Sequence, residues 1–195
     1  MQVLRYSELT KVPWKNGGGI TRSIAKGEAA GRVAWTISRA DVVQDGAFSD
    51  FTGMVRVLTV VSGGAMTLLS SGMTLEAKPW TPVRFDGGLS VSSRLADGPL
   101  TDLNLMFDPN HCEGEVIIWQ DQVKKDISCP VDGLLAYHVL AGAPTVDATA
   151  LSVGDTVFIE PSDQTLLLDK GDGVLEIRLT YLNQTDAIRL CMAER

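Results

Sequence analysis

The sequence predicts an all-β protein. Short apolar runs rich in β-branched and aromatic residues recur along the whole chain, Gly, Pro, Asp and Asn separate them, and helical periodicity is nearly absent. Taken in order, the runs at 33–37, 55–61, 66–69, 89–91, 116–119, 133–140, 156–159, 165–168 and 175–181 each read as a strand. Only 121–126 and a turn at 6–9 offer helix, and both are short. The 19 glycines suit a chain that turns often.

Two stretches share a plan. Residues 57–63, 66–69, 72–76 and 82–86 read as a strand, a Gly turn, a strand, a further turn, and a strand ending on Asp86. Residues 134–142, 145–146, 150–155 and 157–161 repeat that order and end on Glu160. A repeated β unit of this size implies two related barrels, each small for independent stability. The expected division is 1–110 and 111–195, and the strand–glycine–strand rhythm is similar to that of the cupin barrel.

Composition bounds the function. Over 195 residues, 17 Lys and Arg stand against 24 Asp and Glu, a net charge of −7. No basic run is available to neutralise phosphates, so neither nucleic acid nor an anionic membrane is an expected partner. Hydrophobic residues at 45% and charged residues at 21% are enough for a real core and exclude disorder. The start of the chain has no apolar export segment. Cys112, Cys129 and Cys191 are odd in number and widely spaced, so the reading is a cytoplasmic chain with reduced, buried thiols. His111 and His138 are the only histidines and neither has a neighbouring ligand. A metal-dependent cupin chemistry is therefore not expected, nor is any cofactor.

Three segments carry chemistry. In the first, Trp14-Lys15-Asn16-Gly17-Gly18-Gly19-Ile20-Thr21, consecutive glycines are able to expose backbone N–H donors to an anion, with Asn16 and Lys15 beside them; a plain glycine loop between strands is the alternative. In the second, alternation puts Trp35, Ile37, Arg39 and Asp41 on one face and Thr36, Ser38 and Ala40 on the other, with Arg56 further along opening an otherwise apolar strand. Arg39 either serves a site or pairs with an acidic neighbour. In the third, Asp86 precedes a glycine pair, and Asp102, Asn104 and Met106 alternate with Leu103, Leu105 and Phe107, so their polar face lines a barrel mouth or meets solvent.

Together these segments resemble the HutD/Ves family. The matching residues are Trp14 to Gly19 with Thr21 and Ile24, Trp35 with Ser38 and Ala40-Asp41-Val42, Gly46 with Phe48-Ser49, Phe51, Gly53 and Arg56, Phe85-Asp86-Gly87, and Gly98-Pro99 with Asp102, Asn104 and Met106. The chain departs from the usual pattern at Ser23, where Glu is common, and at Ala47 and Thr52, where Pro is common. The resemblance implies a bicupin with two jelly-roll barrels and an association with bacterial histidine utilisation, while Ves-type relatives are linked to stress response. It also implies binding of a metabolite such as formylglutamate, formate or urocanate. The expected function is a non-enzymatic protein that binds a small carboxylate through Asn16, Gly17, Gly18, Gly19, Thr21, Trp35, Ser38, Arg39, Arg56, Asp86, Asp102, Asn104 and Met106. Two alternatives stand beside it. One is a metal-independent enzyme using Asp86 or Asp102 as general base. The other is an interaction module or homodimer anchored by Trp80 and Trp119.

Overall fold

The computed structural model describes residues 1–182 and 188–192. Among them helix is confined to one 3-10 turn, Tyr6–Glu8, and the rest of the ordered backbone is strand. The chain divides into two compact units. One holds Met1–Leu9 with Glu113–Tyr181; the other holds Thr10–Cys112, Leu182 and the strand Arg189–Met192. The chain passes from one unit to the other between Cys112 and Glu113, and each chain end joins the unit formed by the other half of the sequence.

In the unit built on Thr10–Cys112, a large antiparallel sheet runs in the order Lys11–Pro13, Gly19–Ala29, Arg32–Val42, Leu100–Phe107, Val55–Ser62, Val83–Asp86, and Arg189–Met192 also pairs with Gly19–Ala29. A second sheet runs Gly46–Ala47, Ser92–Leu95, Met66–Ser70, Met73–Ala77. Part of one face of the first sheet (Ala40, Val42, Leu58, Val60) packs with Met66, Leu68 and Ala77 of the second, giving the sandwiched core of a cupin-type jelly roll.

The other unit has the same plan. Its five-stranded sheet runs Gln2–Leu4, Thr156–Ile159, Gly133–Ala141, Gly173–Tyr181, Cys112–Gln120, and its smaller sheet runs Val123–Ile127, Gln164–Leu168, Thr145–Val146, Thr149–Ala150. Its interior is filled by Leu135, Tyr137, Val139, Leu151, Val157 and Leu166 among others. The sequence repeat is a repeat of pairing. Val55–Ser62 pairs with Val83–Asp86 as Gly133–Ala141 pairs with Thr156–Ile159, and the two short strands between them pair with each other in both units.

Three expectations need correction. The helix at 121–126 is instead the strand Val123–Ile127, which follows a positive-φ turn at Asp121; its alternating burial and its partner Gln164–Leu168 override a weak local preference. The run 89–91 precedes a strand, Ser92–Leu95, rather than forming one. Of the three free thiols only Cys112 is buried; Cys129 and Cys191 are half-buried.

The face of the large sheet opposite the sandwiched core has an apolar set of its own: Trp35, Ile37, Leu103, Leu105 and Phe107 are fully buried there. Trp35 lies directly across from Gly27, where a Cβ would overlap the indole ring. Gly27→Ala should therefore cost about 1–3 kcal/mol, the range for overpacking a filled interior, read as a lowered melting temperature. Trp35→Leu in the same chain should recover part of that loss. An equal Gly27→Ala penalty with and without the indole would show that something else fills the space.

Candidate functional site

The central strand Leu100–Phe107 organises the site. Its register sets Asp102 beside Ala40 and Val60, Asn104 beside Ser38 and Leu58, and Met106 beside Thr36 and Arg56. Gly19–Ala29 carries the same face outward, with Thr21 beside Ala40 and Ser23 beside Ser38. Directly opposed residues share a face, so these side chains meet along one wall. A cavity of about 640 Å³ opens on them, closed elsewhere by Trp14, Lys15 and Asn16 from the glycine loop and by Phe48 and Phe51 from the segment after Gly46–Ala47.

At the floor lies a hydrogen-bonded chain of three side chains. Arg56 Nε donates to Asn104 Oδ1 at 2.7 Å, and Asn104 Nδ2 donates to Asp102 Oδ1. Asn104 uses both ends of its amide to keep cation and anion apart. The guanidinium carbon lies 4.4, 5.5 and 5.9 Å from the ring centroids of Phe48, Phe85 and Phe51, a cation in an aromatic box. Arg56 is 7% exposed and, among the described residues, forms no ion pair and donates from neither Nη to a protein acceptor. Asp102 is 1% exposed and its Oδ2 has no partner.

Electrostatics follow from that burial. The Arg56 guanidinium is pushed down to about 10 by burial, with Asp102 opposing, and remains charged at neutral pH. Burial pushes the Asp102 carboxyl up to about 6, against Arg56 and the Asn104 hydrogen bond, which pull it down; Asp41 adds to the rise. At pH 7 the floor thus carries both charges, close to neutral in sum, and it becomes positive once Asp102 holds a proton.

Of the residues singled out from the sequence, Asn16, Thr21, Ser38, Arg56, Asp102, Asn104 and Met106 line this cavity. Gly17, Gly18 and Gly19 do not. Gly17 N–H donates to Trp14 O and Gly18 N–H to Asn16 Oδ1, so the loop satisfies these two donors itself. The glycines instead seat Trp14. A Cβ at Gly19 would strike Asp41 O and the Trp14 ring, whose Nε1 donates to Thr21 Oγ1 at 2.7 Å.

Trp35 and Arg39 belong to the opposite face of the sheet by strict alternation, and both are buried there. Asp86 is exposed, accepts from Gly88 N–H at 2.8 Å, and borders a separate recess of about 340 Å³ with Arg84. Trp80 and Trp119 each bond within their own unit, to Val61 O and to Glu176. The sequence-based list omitted Trp14, Phe48 and Phe51. The Phe48-x-x-Phe51 spacing five residues before Arg56 was the available signal, since a buried guanidinium needs aromatic or anionic company.

Neither histidine joins the site. His138 is buried with Nδ1 2.9 Å from the Thr156 hydroxyl, and His111 faces Asp108 at 3.9 Å. Among the described residues no group of three or more His, Cys, Asp and Glu side chains is placed to hold a metal, and no helix is long and apolar enough to cross a membrane.

Comparison with known proteins matches the HutD family model to residues 6–176. A Pseudomonas putida protein, described as an uncharacterised 21.2 kDa protein in the hutC 3' region, is 31% identical over 87% of this chain and 92% of its own length. Protein Ves of Cronobacter sakazakii is 29% identical over 92% of this chain and all of its own. Among solved structures, HutD from Pseudomonas fluorescens SBW25, determined in a formate condition, superposes with a TM-score of 0.81 at 28% identity, covering 93% of this chain and 99% of that one. A nickel-bound bacterial pirin from Escherichia coli superposes with a TM-score of 0.69 at 11% identity, over 91% of this chain and 97% of the pirin, a likeness of fold alone.

The Asp102 carboxyl also determines a stability profile. Its folded pKa near 6 exceeds the unfolded value of about 4. Between those values the folded state holds a proton that the unfolded state has lost, so stability falls as pH rises through that window and stays lower above it. Asp102→Asn keeps the acceptor for Asn104 and removes the buried charge. It should raise stability at pH 7 by roughly 1–3 kcal/mol and flatten the melting profile between about pH 4 and pH 6. A profile unchanged by the substitution would assign that limb to another group.

Proposed function

We propose, from the premise that this chain belongs to the HutD family, that its polar cavity is a receptor for a small carboxylate acting beside histidine utilisation. One observation carries the reading: a buried guanidinium, oriented by Asn104 and flanked by aromatic rings, keeps both Nη groups at a cavity without a protein acceptor among the described residues. Arg is suited to bidentate capture of a planar carboxylate. Thr21, Ser38 and Asn16 supply neutral hydrogen-bonding groups around it, and Trp14, Phe48 and Phe51 supply apolar walls, the usual make-up of a small-ligand site. The connection to histidine utilisation is supported by the P. putida relative named for the hutC 3' region and by the superposition on HutD.

The test is a thermal-shift screen of formylglutamate, formate, urocanate, glutamate and histidine. A ligand present at about 100 times its dissociation constant stabilises the fold by about 2.7 kcal/mol, several degrees in melting temperature for a chain of this size. Arg56→Met should lose about 2–3 kcal/mol of binding, roughly 30- to 150-fold in affinity. The reading fails if no carboxylate raises the wild-type melting temperature, or if the variant responds equally.

One feature favours an enzyme instead. Asp102, which lines the cavity, has an unpartnered carboxylate oxygen and a pKa raised towards neutrality, as a general base requires. Multiple turnover of one of these acids, abolished in Asp102→Asn, would select that reading; binding without turnover selects the receptor.

A further inference from the structure

Asp102 lines the cavity, and its Oδ2 is a buried carboxylate oxygen with no hydrogen-bond partner, two residues along its strand from the Asn104 that orients Arg56. An unpartnered polar atom held out of water is costly unless something fills its place. Asn104 occupies only Oδ1. Arg56 and Asp102 line the same cavity, so an anion bound to Arg56 adds negative charge to the surroundings of the Asp102 carboxyl.

We infer that Asp102 is a second binding residue of the cavity, and that it takes up one proton when a carboxylate binds Arg56, the new Oδ2–H donating to the ligand. This inference rests on the carboxylate-receptor reading. The step balances: a proton from solvent adds to Asp102 Oδ2, no other bond is made or broken, and the ligand stays anionic on Arg56. Two carboxylates sharing one small site cannot both remain ionised cheaply, so one accepts the proton.

The ligand keeps its charge because the guanidinium faces it directly, whereas Asn104 separates that guanidinium from Asp102. Around Asp102 the charged groups are few. Arg56 comes from the Val55–Ser62 strand, and Asp41 comes from Arg32–Val42, its carboxylate already engaged by Arg22 and the Thr101 hydroxyl. Lys15 lies at the exposed loop. The direct strand neighbours of Asp102, Ala40 and Val60, are apolar. None of these offers Oδ2 a donor. In the free protein burial already brings the Asp102 carboxyl to about 6, so at neutral pH it is mostly ionised and able to accept.

The consequence is a site whose affinity for carboxylates rises as pH falls, through the protein rather than the ligand. Formate and acetate are the decisive probes: both stay ionised above about pH 5.5 and neither carries an N–H or O–H of its own to give Oδ2. Isothermal titration of the wild-type chain with each acid at pH 7, in two buffers of different ionisation enthalpy, should show most of one proton taken up per ligand bound. The dissociation constant should weaken about tenfold from pH 7 to pH 8, the linkage expected of one proton. Asp102→Asn, whose amide N–H takes the place of the Oδ2 proton, should bind with no proton uptake and a flat profile over the same range.

Binding of formate or acetate to wild type without proton uptake, and with a dissociation constant that does not change between pH 6 and pH 8, overturns the inference whatever the variant does. If neither acid binds at any pH from 5.5 to 8, the inference falls. The receptor reading falls with it only if the larger acids also leave the melting temperature unmoved.

Discussion

The Asn104 amide lies between a buried cation and a buried anion, and the character of the cavity depends on that insertion. A guanidinium and a carboxylate this deep would ordinarily pair and cancel, leaving a closed ion pair with little left for a ligand. Here the amide accepts from Arg56 Nε and donates to Asp102, so each ion is oriented and neither is consumed. The cost of an unpaired guanidinium is met by the faces of Phe48, Phe51 and Phe85, which attract the cation without offering an acceptor to its Nη groups. Such a site is preorganised. The groups that meet a ligand are fixed before it arrives.

That arrangement needs a sheet buried on both faces. One face carries Trp35, Ile37, Leu103, Leu105 and Phe107, all sealed from water. The other carries both kinds: Leu58 and Val60 join the jelly-roll core, while Ser38, Asn104 and Arg56 meet the cavity. The two are linked through the pleat: every cavity residue on the central strand alternates with a leucine or phenylalanine that anchors the strand from behind. Rigidity of the apolar face is what holds the polar groups to their places.

The two units show how one topology is put to different uses. The unit built on Glu113–Tyr181 has the same strand pairings, but Tyr137, Leu135, Val157 and Leu166 fill its interior. Its most buried acid, Glu176, is saturated by Trp119, Lys125 and Arg178. Burial alone would raise the Glu176 carboxyl, yet the hydrogen bonds from Lys125 and Arg178 hold it below the usual range. A satisfied network of this kind fixes a structure and leaves nothing for a ligand. The contrast with Asp102, raised and with one oxygen unpartnered, separates a structural carboxylate from one available to chemistry.

The sequence by itself determined the all-β class, the repeat, and the polar residues along the central strand of the cavity wall, because each is written in local pattern. Alternation in 35–41 and 102–107 fixes which side chains share a face, a lone arginine in an apolar strand announces a charge that needs company, and the absence of paired histidines argues against metal chemistry. It also placed Trp35 and Arg39 on one face together, though not which face the cavity would use. That required the sheet order, which sets Leu100–Phe107 between Arg32–Val42 and Val55–Ser62 and so brings Arg56, Asn104 and Asp102 into one chain across 46 to 48 residues of sequence. The glycine loop was legible as a loop, but whether its donors were free depended on hydrogen bonds to Trp14 and Asn16 that no spacing specifies. The aromatic box and the joining of each chain end to the unit formed by the other half were likewise decided in three dimensions, because side chains distant in sequence compete for the same buried space and only the packed sheet determines which of them fill it.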